Sequence, residues 1–492
     1  MASLPHPDAA GQDLARRHDA LRNPYTLQGN ALLQFQSERE SNARSYPRRI
    51  PLALRRAKGI YVEDVEGRVF IDCLAGAGSL ALGHNHPAVI EAMQDTLRDD
   101  LPLLTLDLTT PVKDRFMRDL LDFLPARLAA RARVQFCGPT GADAIEAAVK
   151  LVKTATGRAD MLAFQGAYHG MTQGALQMMG NVRPKQSLRS PLAGVQFLPY
   201  PYDLRCPFGL HGEAGVRAGL RYIDSVLSDP EGGVPPPAGV IVEAVQGEGG
   251  VIPAPDAWLG GLRDLTHRAG VPLILDEVQS GFCRTGKRFA FEHAGITPDV
   301  VVLSKAIGGG LPLSVVVYDQ DLDQWTSGTH AGTFRGNQLA MAAGSTTLRI
   351  LREEGLDQHA AEVGGRLASR LRALQQDTPQ IGEVRGRGLM QGVELVDPEQ
   401  RDARGGPAAA SALASAVQAA CLRHGLIVEL GGRHGSVVRF LPPLIITAAQ
   451  VDHVADIFAA ALRDALRATP QSTRDARAAR DPVDASLAAQ AA

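Results

Sequence analysis

Apolar residues along the chain follow two rhythms. Short, largely apolar runs at 161–164, 239–245, 271–275 and 300–303 have the character of strands buried on both faces. Between them, residues 143–156, 215–227 and 257–269 repeat apolar positions at helical spacing. Alternation of strand and helix predicts a parallel α/β sheet with helices on both sides. Further helices are expected over 30–40, 87–98, 111–124 and 339–354, and short strands over 134–137 and 313–317. Residues 59–72 alternate apolar and polar around Glu66-Gly67, the pattern of a hairpin. Segments 382–395, 408–424, 426–429 and 437–440 predict a smaller α+β domain. The expected division is a flexible N-terminal arm (1–25), the N-terminal part of a small domain (26–90), a large domain (91–345), the C-terminal part of the small domain (346–466) and a disordered tail (467–492).

Composition narrows the picture. The chain is 45% hydrophobic and 21% charged, with 51 basic against 53 acidic residues, so neither nucleic acid nor an anionic membrane surface is indicated. Cys73, Cys137, Cys206, Cys283 and Cys421 are scattered and form no CxxC pair, which supports neither a zinc site nor a disulfide framework. The start, MASLPHPDAAGQD, lacks an apolar signal region, so a cytoplasmic location is expected. His84 and His86 lack a third ligand nearby and read as loop residues; no metal site is expected.

Candidate chemistry gathers at strand ends. In the stretch 300–318 the one charge among apolar residues is Lys305, at the mouth of a buried strand. Desolvation there favours a neutral, nucleophilic amine. Asp276-Glu277 ends the run 272–275, at the edge where open α/β sheets bind ligands. Gly138-Pro-Thr140-Gly141-Ala142 lies between a strand and a helix, where unpaired amides suit a phosphate. Tyr168-His169-Gly170 follows another strand at the same edge and offers an aromatic face. Gly281 to Lys287 imitates a P-loop, but Arg288 stands where a magnesium-binding hydroxyl belongs, so the match is discounted. A planar, phosphorylated, aldehyde-bearing pyridine would use the lysine, the acid, the aromatic and the anion site together.

The motifs Leu275-Asp276-Glu-Val-Gln279-Ser-Gly-Phe-Cys-Arg-Thr-Gly286 and Ser304-Lys305-Ala-Ile-Gly-Gly-Gly310-Leu-Pro resemble those of the class III aminotransferases, ornithine-aminotransferase-like members of the fold type I enzymes that use pyridoxal 5'-phosphate. The resemblance runs from about Arg49 to Val454. It implies a large cofactor-binding domain with a mostly parallel seven-stranded sheet, plus a smaller α+β domain built from both chain ends. It also implies that Lys305 bonds to the cofactor aldehyde and that Asp276 partners the pyridine nitrogen. By the same likeness, Gln279 lies near the ring hydroxyl, Tyr168 stacks on the ring with His169 beside it, and Thr140, Gly141 and Ala142 bind the phosphate. Thr333, in Thr329-His-Ala-Gly-Thr333-Phe-Arg-Gly336-Asn337, matches a residue that reaches the neighbouring subunit's phosphate, which implies a homodimer with shared sites.

Glu248 matches a glutamate that pairs with an arginine, here Arg439, and Ala244 replaces the family's usual proline. Such a pair lets one site accept glutamate, with a carboxylate beside the reacting amine, and a second substrate without one. Within the family the likeness is greatest to members acting on L-2,4-diaminobutyrate and 2-oxoglutarate, carried by 38–48, by Ala75-Gly-Ala77-Gly-Ser-Leu80 and by Pro139-Thr-Gly-Ala-Asp-Ala-Ile-Glu146. A small Ala77 stands where ornithine enzymes carry a bulky tyrosine. Arg44 and Arg48 are candidates for gripping the distal α-carboxylate. The alternatives are another ω-aminotransferase (4-aminobutyrate, ornithine or acetylornithine) and an aminomutase of the glutamate-1-semialdehyde type.

Overall fold

The computed structural model describes residues 9–186, 188, 194–403 and 405–468. Its centre is a seven-stranded sheet: β1 (Ala132–Phe136), β2 (Met161–Phe164), β3 (Val195–Leu198), β4 (Gly239–Val242), β5 (Leu273–Asp276), β6 (Val300–Leu303) and β7 (Val315–Asp319). The order across the sheet is β1-β7-β6-β5-β4-β2-β3. From β6 to β3 every neighbour runs parallel. β7 is antiparallel to both β6 and β1, with Val300 opposite Tyr318 and Val315 opposite Phe136. Residues 304–314 are too few for a helical crossover, so the chain returns as a tight reversal.

β2, β4, β5 and β6 are buried along their whole length. Their side chains divide by parity. Ile241, Ile274, Val300 and Val302 pack with Ile145, Ala148 and Leu151 of the helix Gly141–Thr156, while Val242, Leu275, Val301 and Leu303 face the other core. Burial on both faces explains why these strands appear as continuous apolar runs.

Two further sheets flank the centre. Leu54–Lys58, Tyr61–Asp64 and Val69–Asp72 form an antiparallel set, joined by Leu426–Ile427 running parallel to Val69–Asp72. Ile381–Arg387, Met390–Arg401, Val437–Phe440 and Glu429–Gly431 form the other, with Pro407–Ala409 at its margin. The run expected as one strand at 426–429 is therefore divided between two sheets, and chain from both ends shares one of them. Helices Leu356–Gln376 and Ala448–Ala468, which the apolar pattern leaves unassigned, are tied by Arg366 Nε to Asp452 Oδ1 at 2.7 Å and Arg370 Nη2 to Asp456 Oδ1 at 2.6 Å.

The expected loose arm is ordered over Ala9–Asp19, an α-helix whose Leu14 and His18 are buried. Arg17 Nη2 donates to Glu63 Oε1 at 2.7 Å, and Arg56 Nη2 to Asp13 Oδ2 at 2.9 Å, fastening the helix to the hairpin strands. With one leucine in eleven residues, its attachment is mostly polar, which an apolar pattern cannot show. The expected tail lies outside the described residues from 469 onward. Among the described residues no helix is long and apolar enough to cross a membrane.

Candidate active site

The ends of β1, β2, β4, β5 and β6 contribute to one rim. Asp276, the last residue of β5, is buried, and its Oδ2 lies 2.7 Å from His169 Nδ1. The Val278 N–H donates to Asp276 Oδ1 at 3.0 Å, so both carboxylate oxygens are held. Glu277 turns the other way. It is fully buried and accepts from Ser280 Oγ and from the Ala290 and Phe291 amides, at 2.8–3.0 Å. Burial pushes its carboxyl up to about 7 although those donors pull it down. Of the two adjacent acids, one faces the rim and one anchors the core.

Glu243, just past β4, fastens two loops. Its Oε1 accepts from the Tyr168 amide and its Oε2 from the Gly247 amide, both at 2.9 Å. Burial raises it to about 7, with His169 lowering it and Asp276 raising it. The resemblance gave this glutamate no role. Its signal in the sequence is its position at the carboxyl end of a buried strand.

Lys305 follows β6 by two residues, and its φ of +54° is in the left-handed region that non-glycine residues rarely enter. Burial pulls the amine below the ordinary lysine range, with Glu248 and Asp276 opposing. At the adjoining helix, Thr140 is the N-cap and Asp143 Oδ2 accepts from the Thr140 amide at 2.9 Å and its hydroxyl at 2.7 Å. The capping box spends Thr140 on the helix itself, while the first amides, Gly141 and Ala142, have no carbonyl within their own helix to bond.

Glycines bring these loops together. A Cβ on Gly141 would stand 2.9 Å from Val278 Cγ1, and one on Gly170 2.6 Å from Ala142 Cβ. Bare α-carbons thus let the helix start approach the loops after β5 and β2. Gln279 Nε2 donates to the Ala77 carbonyl at 3.0 Å, and its Oε1 is buried without a partner. Ala77 has φ of +57°.

The opposite wall carries paired charge. Arg439 Nη2 lies 2.7 Å from Glu248 Oε1, and Arg439 is 1% exposed. Its Nε and Nη1 are buried without partners. Burial acts to raise Glu248, yet Arg439 and Lys305 bring it below the usual carboxylate range. Arg439 stays above its ordinary value because Glu248 and Glu429 outweigh its burial. Glu429 sits opposite Arg439 across two antiparallel strands, and burial pushes it up. A Cβ on Gly431 would meet Arg439 Nε at 2.6 Å, so the glycine leaves room for the Arg439 side chain.

Arg44 bonds within its own segment, to Ser37 Oγ at 2.9 Å and to the Glu40 and Ser41 carbonyls. Arg48 does the same with Asn42. Arg49 is the arginine of this segment whose charge lowers both Glu248 and Glu429. Nothing in the sequence separates it from Arg44 and Arg48. Thr333 is exposed on a short turn, Thr333–Gly336, packed against 103–108.

The aminotransferase class-III family model matches residues 43–462. The chain is 59% identical over 430 residues to a diaminobutyrate–2-oxoglutarate aminotransferase of Rhizobium meliloti, covering 87% of this chain and 92% of that one. It is 51% identical to the protein of the same name from Haemophilus influenzae, over 88% and 95% of the two chains. Among solved structures it is similar to an amine transaminase from an uncultivated Pseudomonas species in its PLP-bound form, with a TM-score of 0.77 and 28% identity over 90% of this chain and all of the other. An ornithine aminotransferase of Toxoplasma gondii superposes with a TM-score of 0.75 at 27% identity, over 89% and 94% of the chains. With a family model matching residues 43–462 and relatives this similar over 87–88% of its length, the chain belongs to the class-III aminotransferases.

Proposed function

We propose that this protein transfers the terminal amino group of L-2,4-diaminobutyrate to 2-oxoglutarate, giving L-aspartate 4-semialdehyde and L-glutamate, reversibly and chiefly toward diaminobutyrate, with pyridoxal 5'-phosphate as cofactor. The observation that carries the reaction class is the pairing of Glu248 with the buried Arg439, both of whose charges act on the strand-end Lys305. The identity to relatives named for diaminobutyrate and 2-oxoglutarate supports the choice of amine.

The residues present fit the cofactor. Asp276, fixed by His169 and the Val278 amide, is an acid suited to a cationic ring nitrogen. The Gly141 and Ala142 amides, at a helix N-terminus with Thr140 as cap, suit a phosphate. Gln279 has one buried oxygen unpaired and could serve as the polar neighbour of the ring hydroxyl. Tyr168 is held at its backbone by Glu243 and would offer its ring as a stacking face. When bound, pyridoxal phosphate supplies an aldehyde that ties to an amine and a ring that withdraws electrons from the reacting carbon.

The chain's own groups do the rest. Lys305 Nζ, whose hold on its proton is weakened by burial, would tie to the aldehyde and is placed to take up and return a proton at the reacting carbon. Asp276 would keep the proton on the ring nitrogen. Arg439 binds the carboxylate beside the reacting amine of glutamate. With the diamine that carboxylate is absent, and Glu248 then compensates the guanidinium, which would otherwise be a buried, unpaired charge. Arg44 and Ala77 border the diamine's distal end in this proposal.

We further propose a cytoplasmic homodimer, with Thr333 completing the neighbouring subunit's phosphate site. Leu104, Leu106, Leu108 and Phe334 are 47–70% exposed on the same surface as Thr333, an apolar patch that a second copy would cover. The large domain would span 91–345, and the small domain 26–90 with 346–466.

The test is steady-state turnover with diaminobutyrate, ornithine and 4-aminobutyrate side by side, reading glutamate formed from 2-oxoglutarate. Diaminobutyrate should lead in kcat/KM by about tenfold or more. A lead for either other amine would move the protein to another ω-aminotransferase. Turnover without any 2-oxoglutarate or glutamate would make it an aminomutase.

A further inference from the structure

Away from the sheet rim, the two ends of the chain meet at three side chains. His18 and Asp19 close the helix Ala9–Asp19, and His453 lies near the start of Ala448–Ala468. One donor atom from each lies within 4.8 Å of the other two. His18 Nδ1 is 3.8 Å from Asp19 Oδ1, and the His18 and His453 rings meet edge to face with centroids 5.3 Å apart.

The orientation of His18 is informative. The residue is 2% exposed and its Nε2 lies 3.0 Å from the Gly425 carbonyl oxygen. A carbonyl only accepts, so Nε2 carries the ring proton and donates it. In the neutral ring Nδ1 is then a bare lone pair, and it is buried with no hydrogen-bond partner. Gly425 has φ of +79°, and a Cβ there would stand 3.0 Å from His18 Nε2, so the glycine leaves room for this seating. Metal-binding histidines are held in the same way, with the second nitrogen donating to a carbonyl or carboxylate. A bare lone pair, a carboxylate and a second imidazole bring three acceptor atoms within 4.8 Å of one another, and a cation would satisfy all three.

We propose that His18 Nδ1, the Asp19 carboxylate and a ring nitrogen of His453 bind one divalent transition-metal ion of the zinc type, which staples helix Ala9–Asp19 to helix Ala448–Ala468. Two imidazoles and one carboxylate suit zinc, cobalt, nickel or copper, whereas magnesium and calcium favour all-oxygen shells. A tetrahedral zinc with ligands at about 2.1 Å sets its donors about 3.4 Å apart, so the cluster closes only slightly on binding. The Asp19 side chain is 66% exposed and free to swing inward, and water would take the fourth position. No sequence motif announces such a site, because its donors come from opposite ends of the chain.

The test uses the full chain without an affinity tag, loaded with pyridoxal phosphate, stripped by a chelator and dialysed near neutral pH against zinc or magnesium. Metal content per chain is the readout, independent of catalysis. The expected result is one zinc and no magnesium per wild-type chain, with that zinc lost in His453→Gln and in Asp19→Asn. Zinc should also slow proteolytic cleavage ahead of residue 30 in the wild type and not in the variants. A wild-type chain that retains no zinc, or zinc retained in full by both variants, would remove the site. Asp19→Asn changes an exposed side chain, so the test stands even if His453→Gln folds poorly.

Discussion

Asp276 and Lys305 stand at the ends of two hydrogen-bonded neighbours, β5 and β6, whereas Arg439 and Glu429 come from a separate sheet and Arg49 from the N-terminal segment. The first set is placed by backbone register. Shifting either group means breaking ladder pairs such as Asp276 opposite Val302. The second set is placed by packing and by charge. Arg439 is nearly wholly buried yet leaves two of its nitrogens unpaired, and Glu429 keeps a buried unpaired oxygen. A rigid rim suits a cofactor that stays. A wall with spare bonding capacity suits two substrates that alternate. The two regions should therefore respond differently to mutation.

The largest effects belong to the rim. Lys305→Ala should lower turnover by about a thousandfold or more, since it removes both attachment and proton carrier. Visible absorbance at the cofactor's imine band should vanish with it. Asp276→Ala should cost about a hundredfold and weaken cofactor retention, because a preorganised charge partner is lost. Initial-rate glutamate formation and cofactor titration check both. Either variant retaining near-normal activity would dissolve the contrast between rim and wall.

Next is the wall. Glu248→Ala should slow the diamine half-reaction by about tenfold more than the glutamate half-reaction, because the diamine leaves Arg439 buried and uncompensated. Single-turnover absorbance changes, measured with each amine alone, separate the halves. Equal losses in both would mean that the pair is merely structural.

Adjacent acids on β5 and just beyond it sharpen the same point within two residues. Glu277 anchors the core, and burial raises its carboxyl to about 7. The folded chain then keeps a proton that the unfolded chain releases nearer pH 4.3, so this contribution to stability is full at low pH. It fades as pH rises from about 4.5 through about 7, by at most about 1.4 kcal/mol per pH unit. Thermal unfolding across that window should show a decline that Glu277→Gln flattens. An unchanged slope in the variant would show that Glu277 is ionised in the folded chain throughout.

The rim was legible from the chain because each of its motifs is local: a buried apolar run followed at once by its polar group. The same holds for helix 87–98, found at Pro87–Arg98, and for Asn30, whose side chain accepts from the Leu33 amide as the cap of Ala31–Arg39. The wall was half legible. Glu248 and Arg439 follow from resemblance, but Glu429 becomes Arg439's neighbour only when 426–431 divides between two sheets at Val428. Helix Ala9–Asp19 escaped because its attachment is ionic, through Asp13 and Arg17, and ionic attachments leave no periodic trace. Glu243 was passed over because its work is to hold amides, a role any strand-end carboxylate could fill.

The smallest expected effect discriminates among the arginines of 44–49. Arg44 and Arg48 are engaged by Ser37, Asn42 and nearby carbonyls, so freeing either for substrate costs those bonds. Arg49 already acts on Glu248 and Glu429 from a position on the same wall. Being an exposed charge, it is worth little by itself, about 1 kcal/mol or less, which is a few-fold in KM. Arg49→Ala should accordingly raise KM for diaminobutyrate a few-fold with kcat nearly unchanged, and Arg44→Ala should do less. A larger KM rise in Arg44→Ala would transfer the grip on the distal carboxylate to Arg44 and require its local bonds to break when substrate enters. Either result assigns a role that sequence order alone cannot, since all three arginines lie on one short segment and differ only in where folding points them.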